Sequence, residues 1–154
     1  MSAHNLKHRV APAGLMDWNA LTEAGAFCEL CARLSVTLRV DPDGKLKATG
    51  NTQAIPYVAD IAARYRGAII AHLLGLPVPE ESDNQDNQNI MANCQSLDVT
   101  IVEYCAAAGH TIEHRDKLLS LRRRMAPVYL VQNLCAFRAW LYKTTQRASN
   151  DKAK

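Results

Sequence analysis

The sequence predicts a mostly helical α+β protein, and three observations carry that expectation. Apolar residues recur at helical spacing through most of the 154 residues. One stretch, VTLRVDPDGKLKAT at 36–49, instead alternates in period two on either side of a turn. A polar run, GLPVPEESDNQDNQN at 75–89, separates the patterned chain into two parts. The expected organisation is an N-terminal arm over 1–16, then a small helix–hairpin–helix(–helix) module over 17–75. An acidic, polar linker over 76–95 follows, then a three-helix bundle module over 96–147 and a tail over 148–154.

The first helix is expected from Asp17 to Leu34. Asp17 offers an N-cap before Trp18, and Leu21, Ala24, Phe27, Cys28, Cys31 and Leu34 fall on one face. In the hairpin, Val36, Leu38 and Val40 point one way and Thr37 and Arg39 the other. Pro42 presets the turn and Gly44 supplies its left-handed position. Leu46 and Ala48 then face inward, Lys45 and Lys47 outward. Beyond GNTQA, Pro56 suits a first helical turn. Val58, Ile61, Ala62, Tyr65, Ala68, Ile69, His72 and Leu73 continue as a helical stripe, with a break expected near Arg64–Gly67 and a stop at Gly75 and Pro77.

The linker should be coil, because Pro, Glu, Asp, Asn and Gln offer no apolar area to bury. Three helices are then expected, from Ser96 to Ala108 with Gly109 as its C-terminal cap residue, from Thr111 to Met125, and from Pro127 to Gln146. The stripe of the last is Val131, Leu134, Cys135, Arg138 and Leu141.

Composition narrows the function classes. Apolar residues make up 48% of the chain, and no window reaches the roughly 20 apolar residues of a membrane span. MSAHNLKHRV has no apolar core of a secretory signal, so the cytoplasm is the expected compartment. Five irregularly spaced cysteines do not form a secreted disulfide framework. Residues 96–154 carry ten basic and five acidic side chains, a net +5, including the run Arg122, Arg123 and Arg124. That bias permits nucleic-acid contact without demanding it.

No catalytic constellation is legible. The chain has neither a phosphate-binding glycine loop nor a Gly-x-Ser-x-Gly elbow, and its turn and linker carboxylates are scattered. An enzyme, a cofactor and a metal are therefore not expected. Cys28 and Cys31 have the spacing of a redox pair or half a zinc site. Both lie on the apolar face in mid-helix, however, so core packing is the first reading and metal or redox chemistry the alternative. His110 and His114 flank a helix start and read as surface residues; His72 reads as a core or edge residue. LLSLRRRMAPVYLVQNLCAFRAWLYK has the order of a helix-turn-helix, with proline where a glycine turn is usual.

LCARLSVTLRVDPDGKLKATG followed by IPYVADIAARYRGAIIAHL resembles the TubC-type N-terminal docking domain of nonribosomal peptide and polyketide megasynthases. The matching positions are Leu34, Val36–Leu38, Asp43–Gly44, Leu46, Gly50, Ile69, Ile70 and Leu73, within about residues 17–75. The resemblance implies a hairpin whose exposed strand surface accepts a short C-terminal segment of a partner, with Thr37, Arg39, Lys45 and Lys47 as contacts for an acidic peptide. No condensation, adenylation or ketosynthase sequence accompanies it. Modules of similar appearance also open small free-standing bacterial proteins, some of them linked to plasmids and integrative elements.

The expected function is thus a non-enzymatic bacterial adaptor that docks a partner protein or peptide on its hairpin. Its helical module would hold a second partner or a second copy of the chain as a homodimer. The alternative is a DNA-associated accessory factor of a mobile element, with Arg122, Arg123, Arg124, Arg138, Lys143 and Arg147 touching phosphates.

Overall fold

A computed structural model describes residues 17–78 and 83–153. It is the mostly helical α+β arrangement expected, a helical bundle with one antiparallel hairpin. The elements are α1 (Glu23–Arg33), β1 (Val36–Val40), β2 (Leu46–Gly50), α2 (Ala59–Arg64), α3 (Arg66–Leu74), α4 (Asp83–Ala108), α5 (Ile112–Arg123) and α6 (Leu130–Ala153). Short 3-10 helices at Trp18–Ala20, Thr52–Tyr57 and Pro127–Tyr129 enter α1, α2 and α6. The expected arm at 1–16 lies outside the described residues, as do 79–82 of the linker.

Local chemistry explains most boundaries. Asp17 caps the first 3-10 turn by accepting from Asn19 N at 3.1 Å, and α1 has its own N-cap, Thr22, accepting from Gly25 N at 3.0 Å. The first helix is therefore interrupted at Leu21. Pro56 sits inside a 3-10 helix rather than opening an α-helix, and the break between α2 and α3 falls at Tyr65, inside the expected interval. Gly75 (φ 69°) and Gly109 (φ 76°) end α3 and α4 in the left-handed conformation. Residues one further on close each end, Leu76 N to Ala71 O at 2.8 Å and His110 N to Cys105 O at 2.9 Å.

The end of α1 uses the same device with a less suitable residue. Ser35 is left-handed at φ 62°, a conformation that costs an L-residue roughly 1 kcal/mol and glycine almost nothing. Ser35 is exposed. Ser35→Gly is accordingly expected to leave stability unchanged or raise it by up to about 1 kcal/mol, the relief of strain being partly offset by glycine's larger unfolded-state entropy. A urea midpoint lower than that of the parent would contradict this account.

The expected linker requires correction: 83–95 is the first half of α4, not coil. The reason is a polar seam rather than an apolar one. Asn89 and Asn93 are buried together with Leu97, Thr100, Ile101 and Cys105, which continues one helical face back into the polar run. Asn93 is satisfied there, donating to Tyr65 Oη at 2.7 Å and accepting from Arg64 Nη1 at 2.7 Å. The expected tail is likewise helical as far as Ala153.

The two parts of the chain share one core. Helix α6 packs on both α4 and α1, so Leu134 and Cys135 are buried between elements that the sequence divides into separate modules. Phe27, Leu30, Ile61, Ile69, Leu97 and Leu130 belong to the same cluster. Gln132 reaches from α6 to Leu21 O at 3.0 Å, and Asn133 to Asn19 Oδ1 at 2.9 Å. Helix α5 differs from the others: it packs on α4 and buries none of its residues completely.

At the centre lies a polar network. Arg138 of α6 donates through Nη1 and Nη2 to Asp60 Oδ1 and Oδ2, each at 2.9 Å. It also bonds Tyr57 O at 2.7 Å and Thr100 Oγ1 at 2.8 Å. Arg64 adds a 3.8 Å contact to Asp60. Burial alone would raise the Asp60 pKa, but the hydrogen bonds and charge of Arg138, helped by Arg64 and the Ile61 amide, hold it below the usual carboxylate value.

Candidate docking surface on the hairpin

The register of the hairpin is Val36 with Gly50, Thr37 with Thr49, Leu38 with Ala48, Arg39 with Lys47 and Val40 with Leu46. Gly44 N donates to Asp41 O at 2.8 Å and Asp41 N to Lys45 O at 2.8 Å, which closes the turn with Gly44 at φ 85°. At the far end Asn51 N donates to Ser35 O at 3.1 Å. Alternation between these two bonds makes Arg39–Lys47 and Thr37–Thr49 the hydrogen-bonded pairs. The backbone groups of Leu46, Ala48 and Gly50 consequently point away from β1, along an edge of β2 that is open among the described residues.

The inner row rests on α1 and α3 through β1. Val36 is buried and Leu38 and Leu46 are half-buried against the core, whereas Ala48, expected to face inward, is exposed with the rest of β2 beyond Leu46. The hairpin is thus anchored by one strand, and its second strand is the free one. Asn51 fastens the end of β2: its Nδ2 donates to Leu34 O at 2.9 Å and to Tyr142 Oη at 2.6 Å. Tyr142 in turn meets the ring of Tyr57 edge-on, with centroids 5.2 Å apart. Nothing in the sequence pattern singles out Asn51, whose partners lie 17 and 91 residues away.

Thr37, Arg39, Lys45 and Lys47 are all exposed, as the outer row requires. The structure adds a fifth member, Asp41. Its carboxylate lies 3.4 Å from Arg39 Nη1 and 3.7 Å from Lys47 Nζ, with only 18% of its side chain exposed against 63% for Arg39. A carboxylate is therefore already seated between two of the three bases. The period-two alternation contained the signal, since residue 41 shares a face with residues 37 and 39; a turn residue is easily taken as merely solvated.

The six basic residues expected at a nucleic acid are not brought together. Arg138 is held in the central network, with 12% of its side chain exposed. Arg122 is clamped on Asp98, Nε to Oδ1 at 2.5 Å and Nη2 to Oδ2 at 2.9 Å. These two are corrected to structural ion pairs, because a guanidinium on a half-buried helix face takes up the nearest carboxylate before it can serve solvent. Arg123, Arg124, Lys143 and Arg147 are exposed, but Lys143 lies roughly 20 Å along α6 from the end next to Arg124.

The remaining candidate chemistry is dispersed. Burial raises the pKa of the Cys28 thiol and pushes Cys31 up to about 12, with the neighbouring Cys28 adding to it. Cys135 is raised by burial as well. Cys31 and Cys135 are small core residues, whereas Cys28 is half-buried. Among the described residues no three His, Cys, Asp or Glu side chains converge with metal-binding geometry. His110 and His114 are exposed with ring centroids 4.4 Å apart, beside Tyr104. Phe137 is buried, Trp140 is partly exposed at 42%, and their rings meet edge-on at 5.0 Å. An open groove of about 860 Å³ runs between Tyr57, Ala106, Ala107 and Leu141, with Glu103 and the committed Arg138 as its charged groups. Among the described residues no helix is long and apolar enough to cross a membrane. No family model, curated protein or solved structure matches the chain.

Proposed function

We propose that the protein is a non-enzymatic adaptor whose hairpin docks an extended, acidic segment of a partner protein. The observation that carries this reading is the edge of β2, whose backbone groups at Leu46, Ala48 and Gly50 are unpaired among the described residues and adjoin an exposed face bearing Arg39, Lys45 and Lys47. An extended peptide adds to such an edge through main-chain hydrogen bonds, and its alternate side chains lie over the face. Cationic side chains favour acidic residues there and speed the encounter. Asp41 supports the same chemistry, since its carboxylate occupies the position between Arg39 and Lys47 that an incoming carboxylate would take.

The test is binding of synthetic Asp/Glu-rich peptides of extended design, followed by fluorescence anisotropy and by amide chemical shifts of the labelled full chain. Binding is expected to shift the amides of residues 46–50 first. The double variant Arg39→Glu, Lys47→Glu is expected to weaken it about tenfold or more, in line with the cost of like charges at an interface. Asp41→Asn is expected to strengthen it several-fold, because the internal competitor is removed. Binding that is indifferent to all three substitutions, or no binding by any acidic peptide, would overturn the proposal.

A further inference from the structure

We infer that the outer face of α4 and α5 pairs with a second copy of this chain, forming a two-fold dimer. Helix α5 carries Ile112, Leu118, Leu119 and Leu121, yet buries none of its residues completely. An amphipathic helix gains most of its stability from packing its apolar side chains, and among the described residues Ile112 and Leu121 stay exposed at 64% and 55%. On α4 the adjoining side chains are Val99 and Val102, exposed at 58% and 41%. Together with Leu119 they line a predominantly apolar cleft of about 320 Å³ between the two helices.

Charge identifies the occupant. The cleft is bordered by Asp98, Glu103 and Arg123. Asp98 is neutralised within the chain by Arg122. Glu103 and Arg123 are exposed, and neither appears in an ion pair among the described residues. Glu103 belongs to α4 and Arg123 to α5. The clamp of Arg122 on Asp98 puts Arg123 near the level of Asp98, about one and a half turns from Glu103 along the antiparallel pair. One free acid and one free base therefore stand on either side of a shared apolar centre.

A two-fold axis lying in this face and passing midway between them sets Glu103 against Arg123 of the partner subunit, and the reverse. Val99, Val102 and Leu119 of both copies then pool between the two ion pairs. An isologous contact needs a surface complementary to itself, and this mixed face meets that condition. The hairpin row does not, since its one acid, Asp41, is already taken up by Arg39 and Lys47 and the excess charge is cationic, and a polyanion would meet Glu103 as a like charge. Two helices from each copy would complete a four-helix packing. Helix α5 is only about 18 Å long, so the buried area is near the lower end for stable interfaces and the dimer should dissociate in roughly the micromolar range.

Sedimentation equilibrium on the full chain, from about 1 μM to about 200 μM, tests this. The 17.0 kDa chain is expected to double in mass across that interval. Glu103→Arg and Arg123→Glu, both on exposed positions, are each expected to move the midpoint about tenfold or more towards monomer. Combining them should restore the dimer, since the pairs are re-formed with the signs exchanged. The hairpin variant Arg39→Glu, Lys47→Glu should leave the midpoint unchanged, which separates this face from the docking reading. A monomer throughout the range overturns the inference. So does a dimer untouched by the single substitutions, or a double variant that stays monomeric while its circular dichroism matches the parent.

Discussion

Arg138→Ala is expected to lower the unfolding free energy by about 3 kcal/mol, the low end for removing one member of a buried ion pair, because Asp60 remains partly open to solvent. The substitution deletes four hydrogen bonds, to Tyr57 O, Thr100 Oγ1 and both Asp60 oxygens. Asp60 would keep the 3.8 Å contact with Arg64, the Ile61 amide and a 3.4 Å hydrogen bond from Ser96, and Tyr57 O would lose its donor. For a chain of this size the melting temperature should fall by roughly 6–12 °C. Urea denaturation read by tryptophan fluorescence and far-UV circular dichroism checks it; a loss under about 0.5 kcal/mol would show that the network is not structural.

The same pair sets an acid limit. Asp60 titrates lower in the folded chain than in the unfolded one, so its stabilisation is complete above the unfolded value near 4 and is lost as pH falls through the depressed folded value. Asp60→Asn should remove that acid-side step while also lowering stability at neutral pH. An unchanged pH profile would assign the acid limit to other carboxylates.

Gly50→Ala is expected to cost about 2–3 kcal/mol, from the strain of a positive φ and a collision with backbone. Gly50 sits at φ 102°, and an added Cβ would fall 2.6 Å from Ser35 O. That oxygen accepts the Asn51 amide at 3.1 Å and belongs to the end of α1, so it cannot step aside as a flexible side chain would. Relief must come from the hairpin, which loses its last rung and the Asn51 contacts to Leu34 and Tyr142. Gly44→Ala provides the contrast. It too has positive φ, 85°, but nothing lies within 4 Å of its Cβ position, and about 1 kcal/mol should cover the change. If the two variants prove equally stable, the close approach at Gly50 is not what holds the hairpin to α1. If Gly50→Ala is the weaker of the two and also loses peptide binding at 46–50, the rung at Ser35–Asn51 is what keeps the β2 edge in shape.

Local rules were enough for the hairpin. Val36, Leu38 and Val40 alternate against Thr37 and Arg39, and the turn residues Pro42 and Gly44 can hardly serve any other connection, so strands, turn and outer row follow within a dozen residues, though not the exposure of Ala48. Glycine caps at Gly75 and Gly109 were readable for the same reason, since a left-handed residue leaves a local mark. The first half of α4 was not readable. Asn89 and Asn93 occupy core positions, and an asparagine is tolerable there only because Arg64 and Tyr65, which approach from another part of the chain, supply its hydrogen bonds. Hydrophobic periodicity has no symbol for a buried polar residue that finds a distant partner.

Arginine placement was undetermined in the same way. Arg122, Arg123, Arg124, Arg138, Lys143 and Arg147 are equivalent in a charge count, yet Asp98 and Asp60 withdraw Arg122 and Arg138 into the structure. Asp41 was close enough in sequence to be placed on the basic face but was legible as a counter-ion only once the strands had paired. The sequence by itself determined the helical α+β class, the hairpin and its exposed cationic row, because period, turn chemistry and capping act over a few residues. Only the tertiary structure decided that α6 joins both parts into one core, which cations remain free, and which strand edge and helix face stay open. Those outcomes depend on pairings across 24 to 111 residues, and no local pattern encodes which distant carboxylate or carbonyl a side chain will reach.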